Sequence, residues 1–386
     1  MASQKKKIYV VIVFFLFIVY FFVAARPIPK ETILAVRWIS SLDTQTPFYV
    51  DSSPLSGSRT DQFLPFVLGS HFGYVDTAGQ FAVNKIKTTD IYLGENMWAE
   101  YGAEPSGIEI KNLSGETAIN IENTGGYPVL LDNRVFILGS EMNSLSEIDA
   151  NGNVLWTYEF GSILTCIDAA AGIVVTGSLD GIVEILDSKG SRIHYFEPGG
   201  SRLSVILGCA VSKNGSQVGI ISGIDKQRFL LLERFGAGGG EYRVVYHEFL
   251  ETGFRRAVHI SFIDEDRCVV FERTGGISCY NIRSRRGVFI PLNGEIAAID
   301  NSGDQGLLFL IISHSRQNLQ LMQRNELVGI KIPQYKRFMF INFINIQDMI
   351  FLRASFKSDD IFLGRAGSML IAGGGSSLIS FELEEK

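Results

Sequence analysis

The side chains able to do metal, nucleophilic or acid–base chemistry are few in this chain of 386 residues, and their spacing does not gather them. His71, His194, His247, His259 and His314 stand far apart, with no H-E-x-x-H or paired-ligand spacing, so each reads as a surface or turn residue rather than a metal ligand. Cys166, Cys209, Cys268 and Cys279 form no C-x-x-C pair, and four cysteines in so long a chain are no disulfide scaffold. A two-residue turn at Gly275-Gly276 pairs Cys279 with Glu272 and Cys268 with Arg283. That register sets the two sulfurs roughly 13 Å apart along the strands, which makes buried free thiols the expectation. Asp149-Ala150-Asn151-Gly152-Asn153 opens like a calcium loop but lacks the distal Glu, so a hairpin turn through Asn-Gly is the simpler reading. The sequence holds no G-x-S-x-G elbow, P-loop or dinucleotide fingerprint. Arg255, Arg256, Arg283, Arg285 and Arg286 form a local basic cluster. It is either a solvated face or a docking patch for an acidic partner or anionic lipid. No catalytic, cofactor-binding or metal residue is expected.

Composition narrows the classes. With 46% hydrophobic and 20% charged residues the chain is too apolar for a disordered protein, and a net charge of −6 argues against nucleic acid as a partner. Forty glycines, ten prolines and 28 phenylalanines fit many short strands joined by tight turns. Behind the short basic tail of residues 1–7, residues 8–25 run 18 positions without a charge, just after Lys5, Lys6 and Lys7. As a helix they would cover roughly 27 Å, close to the hydrocarbon thickness of a bilayer. A cleaved signal peptide competes, since Val23-Ala24-Ala25 supplies small residues, but signal cores are shorter and this one is crowded with aromatics. An uncleaved signal-anchor is therefore expected, with a buried core helix the third option. Three lysines plus the amino terminus before the span slightly outweigh Arg26, Lys30 and Arg37 after it, which leans the N-terminus into the cytoplasm and the body outside it. In a diderm bacterium that body would be periplasmic. With Cys166 the first cysteine, no lipid anchor is expected at this site.

The remainder repeats. An apolar run ending in Gly-Ser, an alternating strand, a tight turn and a further strand recur from Phe66, Phe136 and Val174, with degenerate copies from Val269 and Phe309. Turn glycines Gly79, Gly115, Gly152 and Gly190 follow at intervals of 36, 37 and 38 residues. The next turns fall in Gly236–Gly240 and at Gly287, a mean period of about 42, which matches a four-stranded propeller blade. Residues 31–386 hold eight blades of about 44 residues, or seven of about 51, and eight fits the period better. Residues 33–39, with Trp38 placed as Trp156 is, read as the strand that completes the last blade and closes the ring.

The run Ile148–Tyr158 resembles a repeat of the quinoprotein (PQQ-like) propellers, and Gly177–Asp187 is similar to a WD40 strand pair with Leu186 in place of tryptophan. The resemblance implies an all-β propeller after one transmembrane helix, and it carries a fold rather than an activity. Quinoprotein dehydrogenases hold PQQ and calcium over the central channel, but none of their ligands can be placed on this sequence. Non-catalytic relatives include the propeller of the outer-membrane β-barrel assembly machinery. The expectation is a membrane-anchored scaffold that binds other proteins and carries no cofactor. A membrane-bound quinoprotein-like enzyme (or propeller hydrolase) and an envelope-assembly factor are the alternatives.

Overall fold

The computed structural model describes residues 13–18, 20, 32–44, 47–50, 62–236, 241–251, 253–300, 306–315, 322–332 and 349–385. Residues 13–18 and 20 are helical and exposed, while the rest of the expected span and the basic tail 1–7 lie outside the described residues. Among the described residues no helix is long and apolar enough to cross a membrane. The chain divides into a unit of Met1–Ala35 with Leu383–Lys386 and a unit of Val36–Glu382.

The large unit is an eight-bladed β-propeller, so the seven-blade alternative falls away. Among the described residues six antiparallel sheets have four strands, one has three and one has five. In chain order the blades cover residues 63–86, 90–122, 126–159, 164–196, 206–249, 260–291 and 295–357, numbered here 1 to 7. Blade 8 takes Ile361–Ala366, Met369–Gly374 and Ser377–Glu385 and then, from the N-terminal part of the chain, Thr32–Ser41 and Pro47–Tyr49. Within it Glu382 is fully buried and pairs with the Arg37 guanidinium, itself 7% exposed. This ion pair ties the two stretches of chain together.

Each sheet is sandwiched between neighbours, so both its faces turn inward and its second strands read as unbroken apolar runs rather than alternating ones. Leu307–Ser313, LLFLIIS, is buried along all but its last residue. Core clusters accordingly bridge adjacent blades. Val175, Ile185, Ile220 and Leu230 join blades 4 and 5, and Ile277, Ile290, Leu310 and Val328 join blades 6 and 7.

The counted glycines have a local cause. In each of four turns before a blade's last strand, an Asp or Asn side chain accepts two backbone N–H groups. Asp149 Oδ1 takes those of Asn151 and Asn153 at 2.8 Å, and Asp187 Oδ1 takes those of Lys189 and Ser191 at 2.8 and 2.9 Å. Asp76 and Asn112 do the same. Three residues on, the chain must pass through positive φ, 74° at Gly190, where a side chain is strained. A Cβ at Gly190 would also stand 2.5 Å from Trp156, the indole that the previous blade lays over this turn. Trp38 covers Gly79 in the same way. The calcium-like run at Asp149 is thus a capped hairpin turn.

One register expectation is corrected. The blade 6 hairpin turns at Thr274-Gly275, with Arg273 opposite Gly276, not at Gly275-Gly276. Gly276 serves a close approach instead, since a Cβ there would meet the Ile290 carbonyl at 2.1 Å. Cys268 therefore faces Asn281 and Cys279 faces Val270. The two thiols sit diagonally on one face of the sheet, two positions apart along it rather than four. The neighbouring Cys268 thiol, followed by burial, pushes Cys279 up, while the same neighbour draws Cys268 down.

Candidate interaction face

In a four-stranded meander the turns between strands one and two and between three and four lie at one end. The turn between two and three and the connection to the next blade lie at the other. The turn at 140–143 and the connection at 160–163 therefore share this second, connection end, as do the turn at 179–182 and the connection at 197–205. Each of them presents a large apolar side chain to water: Met142 is 43% exposed, Ile163 45%, Leu179 49% and Leu203 55%. Scattered apolar residues on a surface need no explanation, but a contiguous row does.

Contiguity is written in the backbone. Leu164 N–H donates to the Met142 carbonyl at 2.8 Å, and Leu179 N–H to the Ile163 carbonyl at 2.9 Å. Ser204 Oγ donates to the Asp180 carbonyl at 3.2 Å, and Ile224 N–H to the Leu203 carbonyl at 3.0 Å. The loops that carry these four residues are thus joined one to the next from blade 3 across blade 4 to the edge of blade 5. The loops are held rigidly. Met142 sits at φ 56°, an αL conformation that its neighbours fix. Ser201 Oγ donates to Asp225 Oδ1, which also accepts the Arg202 N–H at 3.1 Å, while Arg202 Nε reaches Oδ2 at 3.3 Å. The Ser201 hydroxyl, followed by Arg202, holds the Asp225 carboxyl far below its usual range. A hollow of about 460 Å³ on the same end is lined by Lys87, Thr88, Thr89, Asp90, Gly102 and Ala103. Lys87 and Asp90 pair there at 3.8 Å.

A family model described as a beta-propeller protein matches residues 1–354. The chain belongs to that β-propeller family. An uncharacterized protein of Treponema pallidum (strain Nichols) is 27% identical over 302 residues, 77% of this chain and 78% of that one. Among solved structures, the computationally designed Ika8 protein superposes with a TM-score of 0.55 at 12% identity, over 86% of this chain and 98% of its own. BamB from Moraxella catarrhalis gives 0.53 at 12%, over 91% and 100%. These two likenesses are of fold.

The propeller does not gather the five arginines into one patch. Arg255 and Arg256 lie in the connection between blades 5 and 6, at the connection end. Arg283 and Arg285 lie in the turn between Gly276–Asn281 and Arg286–Pro291, and Arg286 opens the strand after it, at the opposite end. Arg256 binds the buried Glu272 carboxylate through both nitrogens, at 2.6 and 2.9 Å, and lies over Phe254. That carboxylate holds the guanidinium charged. The five histidines fall in blades 1, 4, 5 and 7 and, for His259, at the entrance to blade 6. Among the described residues no three His, Cys, Asp or Glu side chains come together as metal ligands would.

The apolar row escaped the sequence reading because its members are single residues in separate loops. One signal was available: Met142 and Leu179 each closely follow the Gly-Ser that ends a second strand, where a polar turn residue is the norm.

Proposed function

We propose that the chain is a non-catalytic propeller held to a membrane by residues 8–25 that binds other proteins through its connection end. The observation carrying this reading is the row Met142, Ile163, Leu179 and Leu203, half-exposed on hydrogen-bonded loops. Rigid loops on a closed scaffold lose little entropy on binding, and each apolar anchor buried against a partner contributes on the order of 1 kcal/mol or more. The uncharged 18-residue stretch behind three lysines supports the anchor, and the slight excess of positive charge that the amino terminus adds before it supports an extracytoplasmic propeller. The strand Thr32–Ser41 ends at the connection end, where Leu42 N–H donates to the Ser376 carbonyl at 2.9 Å. The likeness to BamB assigns no partner.

The test replaces Leu179 and Leu203 together by Glu in the full chain and measures co-purification of the native partner from membranes. Loss of the partner at unchanged Tm is the expected result. Undiminished co-purification refutes the assignment of this face.

A further inference from the structure

Two of the four thiols meet across a blade boundary. Cys166 lies in Leu164–Ala170 and Cys209 in Ile206–Val211, the first strands of blades 4 and 5. Side-chain bonds clamp these strands on either side of the cysteines. Thr165 Oγ1 donates to the Ile206 carbonyl at 2.5 Å, and Val211 N–H donates to Asp168 Oδ2 at 2.7 Å. Cys166 faces Gly177 in register, and a Cβ on that glycine would come within 2.7 Å of the Cys166 Sγ, so the missing side chain makes room for the sulfur. Cys209 Sγ reaches the Val175 carbonyl at 3.7 Å, on the same neighbouring strand. Both sulfurs thus lie against the Ile173–Ser178 strand, within one core cluster.

Their surroundings differ in a way that assigns roles. Cys166 is partly exposed and Cys209 is buried. Cys268 and Cys279 are both buried, 0% and 4% exposed, so an incoming reagent reaches neither while the blade is folded.

We propose that Cys166 and Cys209 are a site of disulfide formation that takes a small disulfide such as oxidised glutathione as oxidant, and that Cys268 and Cys279 stay reduced. The Cys166 thiolate attacks one sulfur of the reagent, its proton passing to solvent, and the first thiol leaves. The Cys209 sulfur then displaces the second thiolate from Cys166, the Cys166–Cys209 bond forms as the mixed disulfide breaks, and the Cys209 proton passes to the departing thiolate. Two protein thiols are oxidised and one disulfide is reduced to two thiols, so electrons and protons balance. The link staples the innermost strands of the two blades whose loops carry Leu179 and Leu203. It stands on the thiol geometry alone and does not depend on the docking role of that face.

The full chain, purified reduced, is incubated with oxidised glutathione, alkylated, digested and mapped by mass spectrometry. The expected map shows one link, Cys166 to Cys209, with the loss of two hydrogens, and Cys268 and Cys279 alkylated only after unfolding. In Cys209→Ser, or in Cys209→Ala should the first variant fold poorly, glutathione remains on Cys166. Cys166→Ser gives no adduct at Cys209. Free thiols at both Cys166 and Cys209 after oxidation, a glutathione adduct that persists on Cys166 in the unaltered chain, or a link to Cys268 or Cys279 would each overturn the proposal.

Discussion

Glu382→Leu is the most informative single perturbation of the ring. Its carboxylate is fully buried against Arg37, itself only 7% exposed, so removing it takes a charged partner from a guanidinium that water barely reaches. Breaking a buried pair from one side costs about 3–5 kcal/mol, whereas replacing both partners by apolar residues of similar volume is close to neutral. Domains are commonly stable by only about 5–15 kcal/mol, and at this size such a loss lowers Tm by on the order of 10 °C. Urea unfolding of the full chain, read by tryptophan fluorescence, gives the value directly, because Trp38 adjoins Arg37 in the same strand. The double variant Arg37→Met/Glu382→Leu should regain most of the loss. A single variant that loses less than about 1 kcal/mol, or a double variant no better than the single one, would refute the claim that this pair holds the closing strand.

Further outcomes follow from the same geometry. Burial raises the Asp168 carboxyl from 3.8 to about 6, against two backbone N–H donors, Val211 and Ala169, that favour its charge. A folded pKa above the unfolded one stabilises fully below about pH 4 and loses that contribution as pH rises through about 6. Unfolding free energy should therefore fall between about pH 4 and pH 7 by up to ~3 kcal/mol more in the native chain than in Asp168→Asn, and identical slopes would exclude this account. Gly190→Ala should cost about 2–3 kcal/mol, from positive φ and collision with Trp156, but Gly115→Ala only about 1, because its Cβ meets nothing. Equal thermal shifts for the two would show that the indole does not press on the turn. An introduced Leu203→Cys should react with a membrane-impermeant maleimide on intact cells; protection until the inner membrane is broken would put the propeller in the cytoplasm.

Much of the architecture was legible because it is set locally. An Asp or Asn that can accept two N–H groups, followed three residues later by glycine, specifies a turn whatever surrounds it, and the spacing of Gly79, Gly115, Gly152 and Gly190 transmits the blade period directly. Gly287 marked its turn less well, since Arg285, at φ 55°, takes the left-handed position there and Gly287 belongs to the next strand. What depended on pairing was harder to read. The Cys268–Cys279 register hinged on which of two adjacent glycines turns the chain, and a shift of one position there moves each sulfur by two residues along its strand. Nearness in sequence grouped five arginines that strand reversal sends to opposite ends of a sheet. Met142, Ile163, Leu179 and Leu203 met only once the meander had brought their loops to one end. Cys166 and Cys209 likewise met through the contact between two first strands, which no local pattern encodes.

The docking face is tested most directly by a photo-crosslinking amino acid placed in turn at Met142, Ile163, Leu179 and Leu203, and at Arg283 and Arg285 as controls, in the full chain in native membranes. Adducts of one common partner from the four connection-end positions and none from the two controls are the predicted result. Adducts from Arg283 and Arg285 with none from the apolar row would contradict it.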